Sequence, residues 1–491
     1  MKHLKKNKFL HLMVAIFLLK GIFYGVYAIP LHMGSTPDDV GHLSYVAYMA
    51  KEHKIPVLFK TKFEETSYRN YDDVLKNRDV IDSNYLINEG EYRESEDYNY
   101  IAQHPPLYHL YLLPFYLVTT MFTSQLSNIV IVLRLATIPL GIITLLCLYK
   151  TLELLNAGDI AKKCAIVCFT FSSAMQYFLT IVDNDAMVIC LSSVSFYLFI
   201  KYLKQANIKD LYLFAAASGG IVITKYTGAV VLPAYALIYL YHCVVRKKQK
   251  LSDFTKQSAI CLAIFGVMVA PVLIQNYVRY ELLFPKYDSF EMRYNYSLYQ
   301  FISKIKYFDI MFRNIVNYTG WMVMVVTSKT MKVLCSLIVS YIFFLKSTKF
   351  KGLWFIPFVT ATIISLELSM EYLTGFIISV ISCIMLLSIS KYDLTSQQDK
   401  DDKEVCILSL AMILSYVIVV FVSQYKLFVA YGMARALHGR YYYVLVLPFF
   451  WLIFRNLNLY NEKATKYLPA ITFLMCIYSE TILAYLGMMQ W

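Results

Sequence analysis

Uninterrupted apolar runs of about twenty residues recur from one end of this chain to the other, and a run of that length is what a helix needs to cross a bilayer core. A transmembrane barrel would show alternating segments of about ten residues instead, and the runs here do not alternate. Composition points the same way. Of 491 residues 58% are hydrophobic and mean hydropathy is +0.51, whereas soluble domains are nearer half apolar. The sequence therefore predicts an all-α, polytopic integral membrane protein. Much of its tyrosine, 43 residues in all, lies near run ends, where an apolar ring with a polar tip suits the membrane interface.

The formal net charge is +13, but the basic residues are spread over short loops between runs. Such loops carry topology signals rather than a phosphate-binding stripe, so a nucleic-acid partner is excluded. The ten cysteines (147, 164, 168, 190, 243, 261, 335, 383, 406 and 476) lie inside or at the edge of apolar runs, with no disulfide framework or metal-ligand spacing. The start, Met1 to Lys8, followed by an apolar run to Pro30, mimics a signal peptide. The run is long for a signal core, and an uncleaved first span is the expectation.

Charge placement then sets the topology. The lysine-rich N-terminus is expected in the cytoplasm, and the segment after the first span outside. Between Phe63 and Tyr100 that segment holds eleven acids against four bases, unlike the rest of a basic chain. The run 106–122 is expected to lie along the outer interface, because a crossing there would place the Arg246-Lys247-Lys248-Gln249-Lys250 cluster outside. Further spans are expected at 128–150, 161–181, 186–204, 209–223, 226–245, 256–278, 317–345, 352–370, 372–390, 404–423, 441–457 and 466–488. With the first, that makes about thirteen. The organisation reads as a first span (1–30), an outer loop with interfacial helices (31–127), a transmembrane catalytic module (128–278), a second outer loop (279–316) and a C-terminal transmembrane region (317–491). Lys329 and Lys332 interrupt 317–345, and two short spans there would flip the side of the C-terminus.

Four polar constellations fall at the outward side of this scheme. The first is Thr36-Pro37-Asp38-Asp39-Val40-Gly41-His42. On a helix Asp38 and Asp39 lie four and three residues before His42, and so near its face. They read either as a base with a tuning partner or as acids complementing a helix start. The second, Asp183-Asn184-Asp185, reads as a cation or hydroxyl site or as an ordinary polar turn. In the third, Gln103-His104-Pro105-Pro106-Leu107-Tyr108, two prolines fix the backbone and so where His104 points, which is suited to a lipid-linked phosphate. The fourth, Arg435, His438, Arg440 and Tyr441, places cations outside against the charge rule, and an anionic headgroup or pyrophosphate would offset them. Lys225 and Arg134 come out near the same face, where snorkelling is the common explanation of a lysine. Walker, dinucleotide and nucleophile-elbow motifs are absent. A group transferred outside the cell would have to arrive on a lipid.

With those motifs in place the chain resembles the GT-C superfamily of polytopic glycosyltransferases, which use polyprenyl-phosphate-linked sugars. More narrowly it is similar to a bacterial membrane family with a Pro-Asp-Glu-x-x-His signature, here Pro37-Asp38-Asp39-Val40-Gly41-His42. The likeness continues through His104-Pro105-Pro106-Leu107-Tyr108, Asp183-Asn184-Asp185 and Gly439-Arg440-Tyr441. It implies interfacial helices in the first outer loop and a loop aspartate, Asp38, as base on the acceptor hydroxyl. It also places the residue before the Pro-Pro pair near the lipid phosphate. That residue is lysine in some relatives and His104 here, so a permanent charge is lost. Asp39 stands where glutamate is usual, one methylene shorter. Some members use a divalent metal cation and others do not, and the sequence does not decide between them.

The expected function is sugar transfer from a polyprenyl-phosphate donor to a glycan, lipid or protein acceptor on the extracytoplasmic face of the cell membrane. Asp38, Asp39 and His42 are the catalytic candidates, and His104, Asp183, Asp185, Lys225, Arg435, His438, Arg440 and Tyr441 the substrate-binding ones. The alternatives are a transporter or flippase of lipid-linked saccharides, or an oligosaccharide ligase or polymerase. A transporter predicts charges near mid-bilayer and two repeated halves, and no repeat is visible.

Overall fold

The computed structural model describes residues 7–29, 36, 38–62, 99–286, 294–304, 400–432, 439–454 and 469. Among these residues the fold is helical throughout, with no β-strand. Among the described residues six helices are long and apolar enough to cross a membrane: Lys8–Ala28, Leu126–Leu154, Asp185–Gln205, Tyr226–Arg246, Leu251–Tyr280 and Asp402–Tyr431. The chain is a multi-pass helical membrane protein. The expected spans 317–345, 352–370, 372–390 and 466–488 lie outside the described residues.

Helix α1 (Lys8–Phe23) ends in a π-helical turn, Tyr24–Ala28. After it come α2 (Asp39–Glu52) and, beyond the 3-10 turn Tyr100–Gln103, α3 (Leu107–Thr120). Each has 14 residues, or about 21 Å, short of the roughly 30 Å hydrocarbon core. Helix α4 (Leu126–Leu154) is a long span. The run expected as one span over 161–181 is instead two pieces, α5 (Asp159–Phe171) and α6 (Ser173–Phe178). The break is at Ser172, whose backbone is extended and whose hydroxyl accepts the Met175 N–H, capping the second piece. Lys20 of α1 donates to the freed Thr170 carbonyl at 3.0 Å and lies over the Tyr24 and Phe171 rings.

Helices α7 (Asp185–Gln205) and α8 (Ile208–Val222) pack closely on each other, α4 packs on α7, and α10 (Leu251–Tyr280) packs on α8. Between α8 and α10 the segment Tyr226–Arg246 runs through a 3-10 turn, α9 (Leu232–Leu240) and a π-helical end. Helix α11 (Leu298–Lys304) is short. Helix α12 (Lys400–Tyr431) is longer than the expected 404–423, and 441–457 becomes a 3-10 turn, Gly439–Leu445, followed by α13 (Val446–Phe454). The core between these helices holds Phe17, Phe169, Phe178, Phe196, Phe199 and Trp451. In lipid such packing is held by close van der Waals fit rather than by water exclusion.

Chain direction gives the bundle two polar ends. The end of α1, the start of α4, the starts of α2 and α7, the break after α8 and the start of the last 3-10 turn share one end. The start of α1, the ends of α4 and α7, the end of Tyr226–Arg246 and the start of α12 share the other.

Candidate functional site

Asp38 immediately precedes α2, and its backbone is left-handed (φ 64°, ψ 1°). Only glycine, asparagine and aspartate visit that region readily. Its carbonyl accepts the His42 N–H at 3.0 Å, opening the helix, while its side chain is left free to point elsewhere. Gly41 lets the next segment close in. A Cβ there would sit 2.3 Å from Ile101, and the Asn99 amide donates to the Gly41 carbonyl at 3.0 Å. That docking brings the Tyr100 hydroxyl to Asp38 Oδ1, where it donates at 2.7 Å.

The other oxygen of Asp38 meets Arg440, 402 residues later, with Nη2 donating to Oδ2 at 2.5 Å. The same guanidinium donates through Nη1 to Asp183 Oδ2 at 2.5 Å, and its Nε lies 3.3 Å from Asp185 Oδ2. Asp185 also receives Lys225 Nζ at 2.5 Å. The rings of Phe178 and Tyr441 flank the guanidinium, and Tyr441 also lies against Lys225. Three carboxylates thus converge on two cations.

Local chain breaks position these groups. Thr137 of α4 donates toward the carbonyls of Leu179 and Thr180, tying down the turn that carries Asp183. Asp183 Oδ1 accepts the Asp185 N–H at 2.9 Å, which starts α7. The Asn184 amide reaches the Thr224 carbonyl and ties that turn to the break holding Lys225. Irregular backbone of this kind is tolerated at membrane depth only where protein or a cavity surrounds it.

Exposure separates the three acids. The Asp38 side chain is 29% exposed, while Asp183 and Asp185 are 1% and 6% exposed. Burial acts to raise the Asp38 pKa, but Arg440, His42 and the Tyr100 hydroxyl outweigh it and hold the carboxyl well below the usual range. Asp183 goes the other way. Burial and the charge of Asp185 push it up to about 7, against the pull of Arg440 and Lys225.

Beside the acids stand three histidines. His42 Nδ1 and His109 Nε2 are 3.0 Å apart, and His42 Nε2 is 3.6 Å from Asp183 Oδ1. His104 lies parallel to His42 with centroids 6.4 Å apart, and the Tyr45 ring stacks on His109 at 3.6 Å. Burial lowers His42 to about 3, and burial with the neighbouring Lys225 does the same to His104.

Of the residues expected from the sequence, the structure brings together Asp38, His42, His104, Asp183, Asp185, Lys225, Arg440 and Tyr441. Asp39 goes elsewhere, and its expected place beside the catalytic candidates is corrected. As the first residue of α2 it points to another side of the helix, accepts the Val40 N–H at 2.8 Å and faces the positive charge of Arg134. Asp38 and His42 are likewise not two positions of one helix, because Asp38 lies just outside it. His104, held neutral, is not a cation, although it remains beside the cluster. Arg435 and His438 lie outside the described residues. Tyr100 and His109 were missed. A second histidine next to the Pro-Pro motif was the available signal for His109.

Among the described residues, the side chains at this cluster do not suit the divalent cation that the resemblance allows. Among the described residues no group of three His, Cys, Asp or Glu side chains is placed to hold a metal ion. The three acids converge on Arg440, not on a space between them.

A helical, multi-pass membrane protein with a buried acid–cation cluster at one end is the class that fold and site define. Residues 103–274 match the model of the family described as dolichyl-phosphate-mannose-protein mannosyltransferase. The match includes His104, His109, Asp183, Asp185 and Lys225, and leaves Asp38 and Arg440 in the flanks. No curated protein matches the chain. Among solved structures it is similar to the S. cerevisiae protein O-mannosyltransferase complex bound to the sugar donor, at 15% identity and a TM-score of 0.37. That alignment covers 59% of this chain and 36% of the yeast chain, so this chain spans about a third of the yeast protein's length. It is also similar to ArnT from Cupriavidus metallidurans bound to undecaprenyl phosphate, at 12% identity and a TM-score of 0.38, covering 95% of this chain and 78% of that one. The apo state of the same protein gives 12%, 0.37, 94% and 76%.

Proposed function

We propose that the chain transfers a sugar from a polyprenyl-phosphate donor to an acceptor hydroxyl at the extracytoplasmic membrane face, with Asp38 as general base. One observation carries the assignment of the base. Of the three clustered acids Asp38 alone is substantially open to the outside of the fold, while its other side is fixed to the cluster's arginine. The family match over residues 103–274 supports a lipid-phosphate sugar donor.

Asp38 takes the proton of the acceptor hydroxyl as its oxygen attacks the anomeric carbon. The bond from that carbon to the phosphate oxygen breaks, and the polyprenyl phosphate leaves with the electron pair. Attack opposite the leaving group inverts the configuration. Arg440 and Lys225 stabilise the charge that builds on the phosphate, in a site largely closed to water. The resting ion pair makes Asp38 a weak base. A donor phosphate that draws Arg440 toward itself loosens that pair and raises the Asp38 pKa, so donor binding readies the base.

The test replaces Asp38 by Asn in purified protein and follows sugar loss from a panel of polyprenyl-phosphate sugars. Donor should still protect the variant against thermal unfolding while turnover is lost. Full turnover by the variant would refute the assignment.

A further inference from the structure

The helix that Asp38 opens does not hold its carboxyl. An aspartate ahead of a helix ordinarily caps it, a carboxylate oxygen accepting an N–H from the first turn. Here the left-handed backbone turns the side chain away, and it makes no such bond. Among the described residues two groups hold it instead, the Tyr100 hydroxyl on Oδ1 and Arg440 on Oδ2. These two are anchored differently. Arg440 belongs to the 3-10 turn Gly439–Leu445 and is shared with Asp183 and Asp185. Tyr100 is fastened to the first turn of α2 itself. Asn99, fully buried beside it, donates to the Gly41 carbonyl and accepts the Ile101 N–H, both at 3.0 Å. The Asn99 N–H reaches the Thr61 carbonyl, also at 3.0 Å, so the segment is held from both ends of α2. Tyr100 and Asp38 therefore move as one piece, and Arg440 is not part of it.

We infer, on the transfer reaction proposed above, that Tyr100 is the positioning residue of the base. It keeps hold of Asp38 Oδ1 when the donor phosphate draws Arg440 away, so Oδ2 is the oxygen that takes the acceptor proton. Without that tether a carboxylate released by Arg440 would swing in a side chain that is 29% exposed. With it, one oxygen stays fixed and the other faces the place Arg440 has left, next to the phosphate and the anomeric carbon joined to it. In the step itself the acceptor O–H bond breaks and its proton goes to Oδ2. The acceptor oxygen bonds to the anomeric carbon, and the bond from that carbon to the phosphate oxygen breaks with its electron pair. Tyr100 keeps its own proton and donates to Oδ1 throughout. Its hydroxyl also favours the charged carboxylate, so holding the base lowers its basicity. The other charged or titratable groups facing Asp38 are Arg440, His42, His104, Asp183, Asp185 and Tyr441. Removing the Tyr100 hydroxyl alone leaves all of them in place.

The experiment compares the detergent-purified full chain as wild type, Tyr100→Phe, Asp38→Gly and the double variant. Glycine removes the carboxyl and tolerates the left-handed backbone. Farnesyl methyl phosphate, a singly charged diester without a sugar, stands in for the donor, so the result is independent of which sugar is transferred. Thermal unfolding of the four forms, with and without saturating diester, gives the coupling between the two side chains. That coupling should survive diester binding, because Tyr100 is then the remaining tether. Diester affinity of Tyr100→Phe should stay within about threefold of wild type. With a panel sugar that wild type consumes, kcat of Tyr100→Phe should fall by about 10- to 100-fold, as a misplaced group costs, with KM for the donor little changed. The rate falls as pH drops and Asp38 takes up a proton. Loss of the phenol raises the pKa of that carboxyl, so the acid limb of kcat should move to higher pH in Tyr100→Phe. A merely structural tyrosine would lower kcat equally at every pH. That result, wild-type kcat in Tyr100→Phe, or a coupling that vanishes with diester bound would each overturn the role of Tyr100 and leave Asp38 as base. Full turnover by Asp38→Asn would instead remove the base. Failure of the diester to bind any form would remove the release of Arg440, and the assignment of Oδ2 with it.

Discussion

The two ends of the bundle each bury an ionic cluster, and they are built differently. At the end away from the site, Glu404 of α12 accepts from Arg246 Nη1 at 2.8 Å and lies 2.8 Å from His242 Nδ1, with all the contact on one oxygen. Lys204 pairs with Asp402 and Lys201 with Asp210. Each acid there has a cation of its own, all the backbone involved is helical, and the cluster clamps α12 to the end of the Tyr226–Arg246 segment and to α7. At the other end three acids share two cations, one acid reaches the outside, and its backbone is left-handed. A balanced cluster fastens helices. On the function proposed above, an unbalanced and partly open one is what a charged ligand would complete.

Substitutions at the two ends should therefore fail in different ways. The largest effect is expected from Asp38→Asn, which keeps the shape and the tolerance for a left-handed backbone. Turnover should drop by about 10³-fold or more, with the unfolding midpoint nearly unchanged. Next is Arg440→Gln, which leaves Asp38 and Asp183 around a neutral amide while Asp185 keeps Lys225. Breaking a buried pair in this way costs about 3–5 kcal/mol, read as a fall in denaturation midpoint, and donor protection should vanish with it. Arg440→Lys separates the two roles, because it keeps the charge but not the fork that spans Asp38 and Asp183. If Arg440→Lys bound donor and turned over normally, the contrast between a fastening end and a reacting end would lose its basis.

At the other end Glu404→Gln should lower stability by about 1–3 kcal/mol, and turnover per folded molecule should match wild type at every pH. A change in its pH profile would show that the two ends communicate. The smallest effect is expected from Lys20→Met. It removes one donor from the Thr170 carbonyl at the break between α5 and α6, worth about 1 kcal/mol, and is best read by thermal unfolding.

Much of this architecture was legible in the sequence because bilayer thickness imposes a length on each apolar run. The spans at 128–150, 186–204, 226–245 and 256–278 each correspond to a described helix. The break at Ser172 was not legible, since serine inside an apolar run is compatible with an unbroken helix. Arg440 stood out because it defied the charge rule, whereas Lys225 looked like a snorkelling lysine until the fold placed it on Asp185. Spacing alone did not separate Asp38 from Asp39, and only the family resemblance singled out Asp38. What separates them is a single backbone rotation that sends one carboxylate to Arg440 and the other toward Arg134. His109 was hidden in an apolar helix, where a histidine shows its partner only when the facing element is in place.

Arg440 joins an acid 402 residues earlier to one 257 residues earlier. While the chain is still emerging from the ribosome, Asp38 and Asp183 are present without that counter-ion. The acid–cation cluster is thus complete only once residue 440 is in place, and a half-made copy of the protein lacks the guanidinium that joins Asp38 to Asp183.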